Sequence, residues 1–467
     1  MAACTVPTQV VCGTACVDKN SDKQNCGGCG TTCETYQYCR SAKCSPTYEW
    51  TRVLPVTPLS ATYQVHGAAV TSTDDVIVQV DLYGASSTST VTFSNPQETS
   101  AQVTTANQTV ALGRVSSTNH LTYGQDLAYS FLGQSGGIQT TSVSPLVVTA
   151  NDDIVVGGVD AVTNASGTVV TSNVLVRLDS ANSLNPKWAA SYSNGEQPVL
   201  IFPRTPRGDY ITAGQSPDEF HGITGQVSSV LENATTATDI APCLANAGAL
   251  GADKTTLWLI GGNYGQAGLS GPTALNPWSP TTTNLTNGQS FIIGAKDDGS
   301  SFGPWVTTNS GTRPANLSRV VVDPNGDLIV VAVGAGGGST GAVTLNSQEI
   351  IGAQETVTIF KVTAANGSVA WKVPVPFSAF VPVAVAPDGA SVIVSPATST
   401  YALTMFADAD GTIPASFTGS GAAQLVVSGT KSLYILGAVT GSADFNPGSK
   451  SDIQGNLPGI FITRFSY

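Results

Sequence analysis

Ser432-Leu-Tyr-Ile-Leu-Gly437, then Gly441-Ser-Ala-Asp-Phe445-Asn-Pro-Gly448, then Gly459-Ile-Phe-Ile-Thr-Arg464-Phe-Ser-Tyr467 is the stretch that decides the fold. It holds an apolar run of strand length, a turn punctuated by Gly and Pro, and a second apolar run ending in a basic residue. Short runs rich in β-branched and aromatic residues, bounded by turn formers, read as strands rather than helices. The first run recurs upstream as Asp75-Val-Ile-Val78, Asp153-Ile-Val-Val-Gly157, Gly208-Asp-Tyr-Ile-Thr-Ala-Gly214, Thr256-Leu-Trp-Leu-Ile-Gly261, Gly326-Asp-Leu-Ile-Val-Val331 and Ala390-Ser-Val-Ile-Val394. With the final copy that makes seven, at a mean spacing of about 60 residues, a period that belongs to rings and solenoids.

Three further elements accompany the strand. The second is Val91-Thr-Phe93-Ser-Asn95-Pro96, Ala274-Leu275-Asn276-Pro277, Val343-Thr-Leu345-Asn346 and Ala443-Asp-Phe445-Asn446-Pro447. The third is a strand ending at Arg114, Arg177, Lys296, Lys361 or Arg464, and the fourth carries Trp188, Trp305 or Trp371. Four strand-like elements in each repeat predict a β-propeller, because a small sheet buries both faces only when packed in a ring. The last unit stops before its Trp element, while Tyr48-Glu-Trp50-Thr-Arg-Val-Leu lies unclaimed near the other end. The expected fold is therefore all-β: a seven-bladed β-propeller over residues 46–467, closed by an N-terminal strand at residues 48–56 and preceded by a small disulfide-rich module at residues 1–45. The unit resembles the SBBP-type bacterial β-propeller repeat, which combines a Gly-Asp-led strand, an Asp-Phe turn and a strand ending in Lys or Arg. That resemblance implies a propeller and no particular chemistry.

The N-terminal module holds Cys4, Cys12, Cys16, Cys26, Cys29, Cys33, Cys39 and Cys44, eight of the chain's nine cysteines. It has too few apolar residues to form a core and needs crosslinks. Disulfides at this density belong to oxidising compartments. Cys26-x2-Cys29 also has zinc-ligand spacing, but no His precedes His66, so disulfides are the expected use. Sequence does not choose the pairing. Cys12-Gly-Thr-Ala-Cys16-Val-Asp, Asn25-Cys26-Gly-Gly-Cys29-Gly, Cys33 and Cys39…Cys44 resemble the stigma-specific cysteine-rich motif frequent in predicted lipoproteins and secreted proteins of myxobacteria, which implies a surface location. Ala2-Ala3-Cys4 also resembles the tail of a bacterial lipoprotein signal, making Cys4 a candidate lipid anchor as well as a candidate bridge. Met1-Ala2-Ala3-Cys4 opens with no charged or apolar leader region, so the expectation is a secreted or outer-membrane-surface protein whose leader is missing from this sequence. Cys243 has no evident partner.

Net charge is −12, charged residues are 11% and no basic run occurs. That excludes nucleic acid as a partner, since phosphate backbones need a basic patch. No apolar run reaches the length of a membrane-spanning helix.

Candidate site residues are few. Asp218, Glu219 and His221 form the best acid–base cluster, and Tyr264 and Trp278 lie in a long Pro-containing stretch. These five are the candidate ligand-binding residues. The recurrent Trp residues read as packing between blades and the recurrent cations as strand caps. Asp323-Pro-Asn325-Gly-Asp327 and Asp408-Ala-Asp410-Gly411 place alternate oxygens as calcium loops do, but lack the later carboxylate and also read as turns. No cofactor is expected beyond this candidate calcium. With no Gly-x-Ser-x-Gly, His-Glu-x-x-His or Walker motif, no catalytic residue is assigned. The expected function is a non-enzymatic extracellular or cell-surface binding or structural protein, whose variable loops, chiefly residues 214–226 and 262–288, recognise a protein or glycan. The alternatives are a propeller-based glycan hydrolase or lyase, and a self-associating subunit of an extracellular filament or coat.

Overall fold

The computed structural model describes residues 4–57, 62–83, 89–93, 101–105, 109–119, 121–127, 146–149, 151–163, 169–179, 185–191, 197–204, 209–215, 225–231, 238–243, 245–253, 255–262, 273–274, 282–283, 289–295, 301–309, 315–334, 341–353, 355–375, 382–396, 399–454 and 458–467. Every regular element among them is a β-strand. The strands group into antiparallel four-strand meanders, named here sheets 1 to 7. Sheet 1 is Thr62–Val70, Val76–Tyr83, Thr109–Val115 and Leu121–Leu127. Sheet 2 is Leu146–Val148, Ile154–Thr163, Val169–Asp179 and Asn185–Ser191. Sheet 3 is Gln197–Arg204, Asp209–Gln215, Gly225–Leu231 and Thr238–Cys243. Sheet 4 is Ala245–Leu250, Leu257–Gly262, Ser290–Ala295 and Ser301–Asn309. Sheet 5 is Ala315–Val322, Leu328–Gly334, Val357–Val362 and Val369–Val375. Sheet 6 is Val383–Val385, Ser391–Pro396, Thr400–Phe406 and Ala415–Ser420. Sheet 7 is Ala422–Ser428, Ser432–Val439, Gly459–Ser466 and, from the far end of the chain, Thr47–Thr57. Small meanders packed one on the next are the architecture of a β-propeller.

The second strands explain why the pattern was legible. Leu328–Gly334 is apolar and buried on nearly every residue. It lies between two partners, with Val330 opposite Val320 on one side and Phe360 on the other. Both faces meet neighbouring sheets, so the sequence shows a continuous apolar run rather than an alternation. First strands are shorter or weaker in sequence, and five of the seven carry a bulge at a shared place, between Val65 and Gly67, Pro198 and Leu200, Ala245 and Ala247, Leu317 and Arg319, and Ala423 and Leu425.

The Trp50 stretch pairs antiparallel with the chain's last strand: Trp50 faces Arg464 and Leu54 faces Ile460. One expectation needs correcting. The second sequence element is no strand of its own sheet. Val343–Leu345 hairpins with Gln348–Ile351 and pairs with Thr307–Asn309 on the fourth strand of sheet 4. Likewise Ser89–Phe93 pairs with Val56 and Thr57 of sheet 7. These hairpins cover the outer edge of the preceding sheet, and the fourth member of each meander is the first strand, which precedes the turn.

Four disulfides, Cys4–Cys16, Cys12–Cys29, Cys26–Cys39 and Cys33–Cys44, staple the N-terminal segment. A sulfur in the Cys4–Cys16 bond is not free to form a lipid thioether, so the two uses of Cys4 exclude each other. The segment packs against the propeller. Tyr36 and Tyr38 are buried in one core with Phe461, Phe465 and Leu433. The Tyr36 ring sits edge-on to Phe417 and Phe465. Its hydroxyl accepts from Tyr48 N at 3.2 Å, Glu34 accepts from Ser449 N at 3.1 Å, and the Tyr38 hydroxyl bonds Asp388.

Candidate functional site

One rim of the propeller carries the turns from first to second strand and from third to fourth. Here the recurrent cations meet acids. In sheet 1 Arg114 pairs with Asp75 at 2.8 Å, and in sheet 2 Arg177 pairs with Asp153 at 2.8 Å. In each case the acid opens the second strand and the cation lies across from the residue two positions later, Ile77 or Val155. These pairs lock a turn to a strand. Arg464 departs from the pattern, with its Nε donating to the Tyr434 hydroxyl at 3.2 Å. Lys296 lies outside the described residues.

The same position in sheet 5 holds Lys361, and there the two calcium-like motifs converge. Lys361 Nζ lies 2.7 Å from Asp323, 2.7 Å from Asp408 and 3.4 Å from Asp327. Asn325 Nδ2 donates to Asp408 at 3.0 Å. The ammonium thus supplies the positive charge at the point where these oxygens meet. Burial works against that charge, but the hydrogen bonds and charges of Asp323 and Asp408 outweigh it and hold Lys361 above its ordinary value. Asp408 belongs to the next sheet, so the cluster also ties sheet 5 to sheet 6.

The Trp residues do the same by packing. Trp371 stacks on Phe406 of the next sheet and donates Nε1 to Asp408 O at 2.9 Å. Gly411, at φ +70°, closes the turn beneath it, where an added Cβ would come within 2.8 Å of the indole. Trp305 stacks on Trp258 and abuts the Gly367 turn of sheet 5. Trp50 donates to Ser117 O of sheet 1 at 3.1 Å. The side chain of Trp188 lies outside the described residues.

A cavity of about 400 Å³ opens on this rim, lined by the ends of first strands and the turns after them: Leu250, Val322, Asp323, Pro324, Val385, Pro387 and Thr430 among others. Asp323 is the one carboxylate in its lining, and it is engaged by Lys361. About three residues deeper along the same strand lies Arg319, which the sequence reading passed over. Its signal was a single cation inside an apolar first strand, Asn316-Leu-Ser-Arg319-Val-Val-Val322.

Asp218, Glu219, His221, Tyr264 and Trp278 lie outside the described residues. Strand order still relates them. Residues 216–224 join the second and third strands of sheet 3, and residues 263–289 join those of sheet 4. The strand ends that flank both connections lie on the rim opposite the tight turns. The side chains of His66 and Cys243, and all of His120, are likewise outside the described set.

No protein-family model and no curated protein matches the chain, so the SBBP-type and stigma-type resemblances rest on their quoted motifs. Among solved structures the chain is similar to the Dos1 propeller, at 8% identity and TM-score 0.46, covering 90% of this chain and 95% of that one. It is also similar to BamB from Moraxella catarrhalis, at 10% identity and TM-score 0.37 over 90% and 100% of the two chains. A third is the periplasmic gluconolactonase of Pseudomonas aeruginosa, at 9% identity and TM-score 0.40 over 87% and 99%. At these scores the likenesses carry no argument, and the propeller fold stands on the strand pairing.

Proposed function

We propose that the protein is a non-enzymatic extracellular or cell-surface binding or structural protein. Its propeller is a seven-bladed ring sealed by Thr47–Thr57 beside Gly459–Ser466, and one rim recognises a protein or glycan. The ring is supported by the first strands: each touches the next from sheet 1 to sheet 7, and that of sheet 7 touches that of sheet 1. What supports the binding role is strand order: the described strand ends that flank the two longest candidate recognition stretches lie on the same rim of consecutive sheets. Loops from adjoining blades of a rigid frame form one surface. Four disulfides favour an oxidising setting, and no helix among the described residues is long and apolar enough to cross a membrane.

Glycan hydrolysis needs two carboxyl groups facing each other across a pocket. The described cavity has one, Asp323, held by Lys361. Edge-to-edge assembly into a filament is opposed by Pro55, Pro186, Pro242, Pro304 and Pro374, each on the fourth strand of a sheet, where a missing N–H blocks strand addition. Replacing residues 262–288 with a short turn should abolish signal on protein and glycan arrays while leaving the melting curve intact. Unchanged array binding would reject the assigned face.

A further inference from the structure

Seven described cations on the propeller and its module have a carboxylate within ion-pair distance: Arg40, Arg114, Arg177, Lys187, Lys361, Lys372 and Arg464. In a chain with 19 basic and 31 acidic residues that is the expected state. Exposed Lys43 and Lys450 have no such carboxylate among the described residues, and neither does Arg319, which protein encloses. Its one described polar partner is the carbonyl of Ser318, which accepts from Nη1 at 2.6 Å. No acid pairs with it among the described residues, although a guanidinium carries five N–H donors.

Its place in the fold explains both facts. Arg319 follows the bulge in the first strand of sheet 5. Leu317 and Val320 point into the core shared with sheet 4, and Val321 into the core shared with sheet 6. Arg319 faces Val331 and so starts on the same side as Val321, at the margin of the core shared with sheet 6. A bulge re-aims the side chain beside it, and the free edge of a first strand faces the centre of the ring. Protein encloses the guanidinium, yet part of its surface stays accessible, as it would beside a water-filled channel. Enclosure lowers its affinity for the proton to about 10, which still leaves it charged at neutral pH. Val322, three residues on, lines the rim cavity. At the rise of a strand, Arg319 lies about 10 Å below that mouth.

Resting on the closed ring proposed above, we propose that its centre holds an anion-binding site built on Arg319, below the cavity lined by Val322, Pro324 and Pro387, taking a small oxyanion or a carboxylate group. A guanidinium offers two parallel N–H groups to such ligands. Low dielectric strengthens the contact, and an enclosed cation with no acid among the described residues is one that an incoming anion would neutralise. Among the described residues the one carboxylate lining the mouth, Asp323, is held by Lys361, which also engages Asp408 and Asp327 behind it.

The test uses the full oxidised chain and three probes, sulfate, phosphate and acetate, against chloride at constant ionic strength. Calorimetric titration should show saturable binding of at least one probe, weakened about tenfold or more in Arg319→Gln and largely kept in Arg319→Lys. Preference for acetate would assign a carboxylate ligand, and preference for sulfate or phosphate an oxyanion. Thermal melts supply the second reading. Salting-out stabilisation acts on wild type and variant alike, whereas site binding raises the wild-type midpoint alone. In chloride, Arg319→Met should melt at or above wild type, because it removes an unpaired enclosed charge. Equal responses of wild type and Arg319→Gln to every probe would overturn the proposal. So would a large loss of stability in Arg319→Met, which would make the arginine a strut for the Ser318 carbonyl.

Discussion

At the scale of the residue, Lys361 shows how a motif changes meaning in three dimensions. Asp323-Pro-Asn325-Gly-Asp327 and Asp408-Ala-Asp410 read separately as turns or cation loops, and nothing in sequence joins them. The fold brings them around one ammonium whose side chain is 7% exposed, against 0% for that of Asp323. Lys361→Met removes the shared cation and leaves Asp323 buried and unpaired, so urea denaturation should show a loss of about 3–5 kcal/mol. Because the folded protein holds Lys361 above its ordinary value, its contribution is complete below about pH 10.4 and fades as pH rises further. Wild type should therefore lose stability above that pH more steeply than Lys361→Met, as thermal melts in alkaline buffers would show. Trp371 was legible as a packing residue because its spacing recurs. Its partner Gly411 was not, since the need for φ near +70° follows from the indole lying over that turn.

At the scale of the element, strands were the easiest feature to read, and their partners the hardest. Leu328–Gly334 and Ser432–Val439 declare themselves by continuous apolar runs. The hairpin Val343–Leu345 with Gln348–Ile351 gives no sign that it belongs to the edge of the preceding sheet. Replacing residues 343–351 with a tight turn should uncover the outer edge of Thr307–Asn309, the part of that strand beyond Pro304. Light scattering should then show concentration-dependent association absent from wild type, since bare edges recruit strands. The loop from Glu34 to Tyr38 is a second element whose role came only from coordinates. It is held between the Cys26–Cys39 and Cys33–Cys44 bonds and inserts aromatic rings between sheets 6 and 7. With the disulfides intact, Tyr36→Ala should cost about 3–5 kcal/mol, the range for emptying a buried aromatic site. Amide exchange should quicken at Thr47–Thr57 before it does in sheet 2.

At the scale of the whole molecule, the ends of the chain carry the largest consequence. Removing residues 1–45 takes away the stapled module but keeps the fourth strand of sheet 7. Removing residues 1–57 takes both. The shorter deletion should fold with a lowered melting midpoint, and the longer should lose cooperative melting, because Leu54 and Val56 leave a core that includes Tyr434, Leu436 and Ile462. Circular dichroism melts of the two deletions check this, and equal behaviour would count against the strand's role. Sequence by itself determined the kinds of element, the repeat, the unclaimed Trp50 strand and the crosslinked N-terminus, because apolar period, turn residues and cysteine density act locally along the chain. Tertiary structure alone decided which cysteines pair, which sheet each hairpin joins, that Tyr36 and Tyr38 anchor the module, and that Arg319 has no acid beside it among the described residues. Those outcomes depend on distances between residues tens to hundreds of positions apart, which packing of the whole fixes and no local pattern encodes.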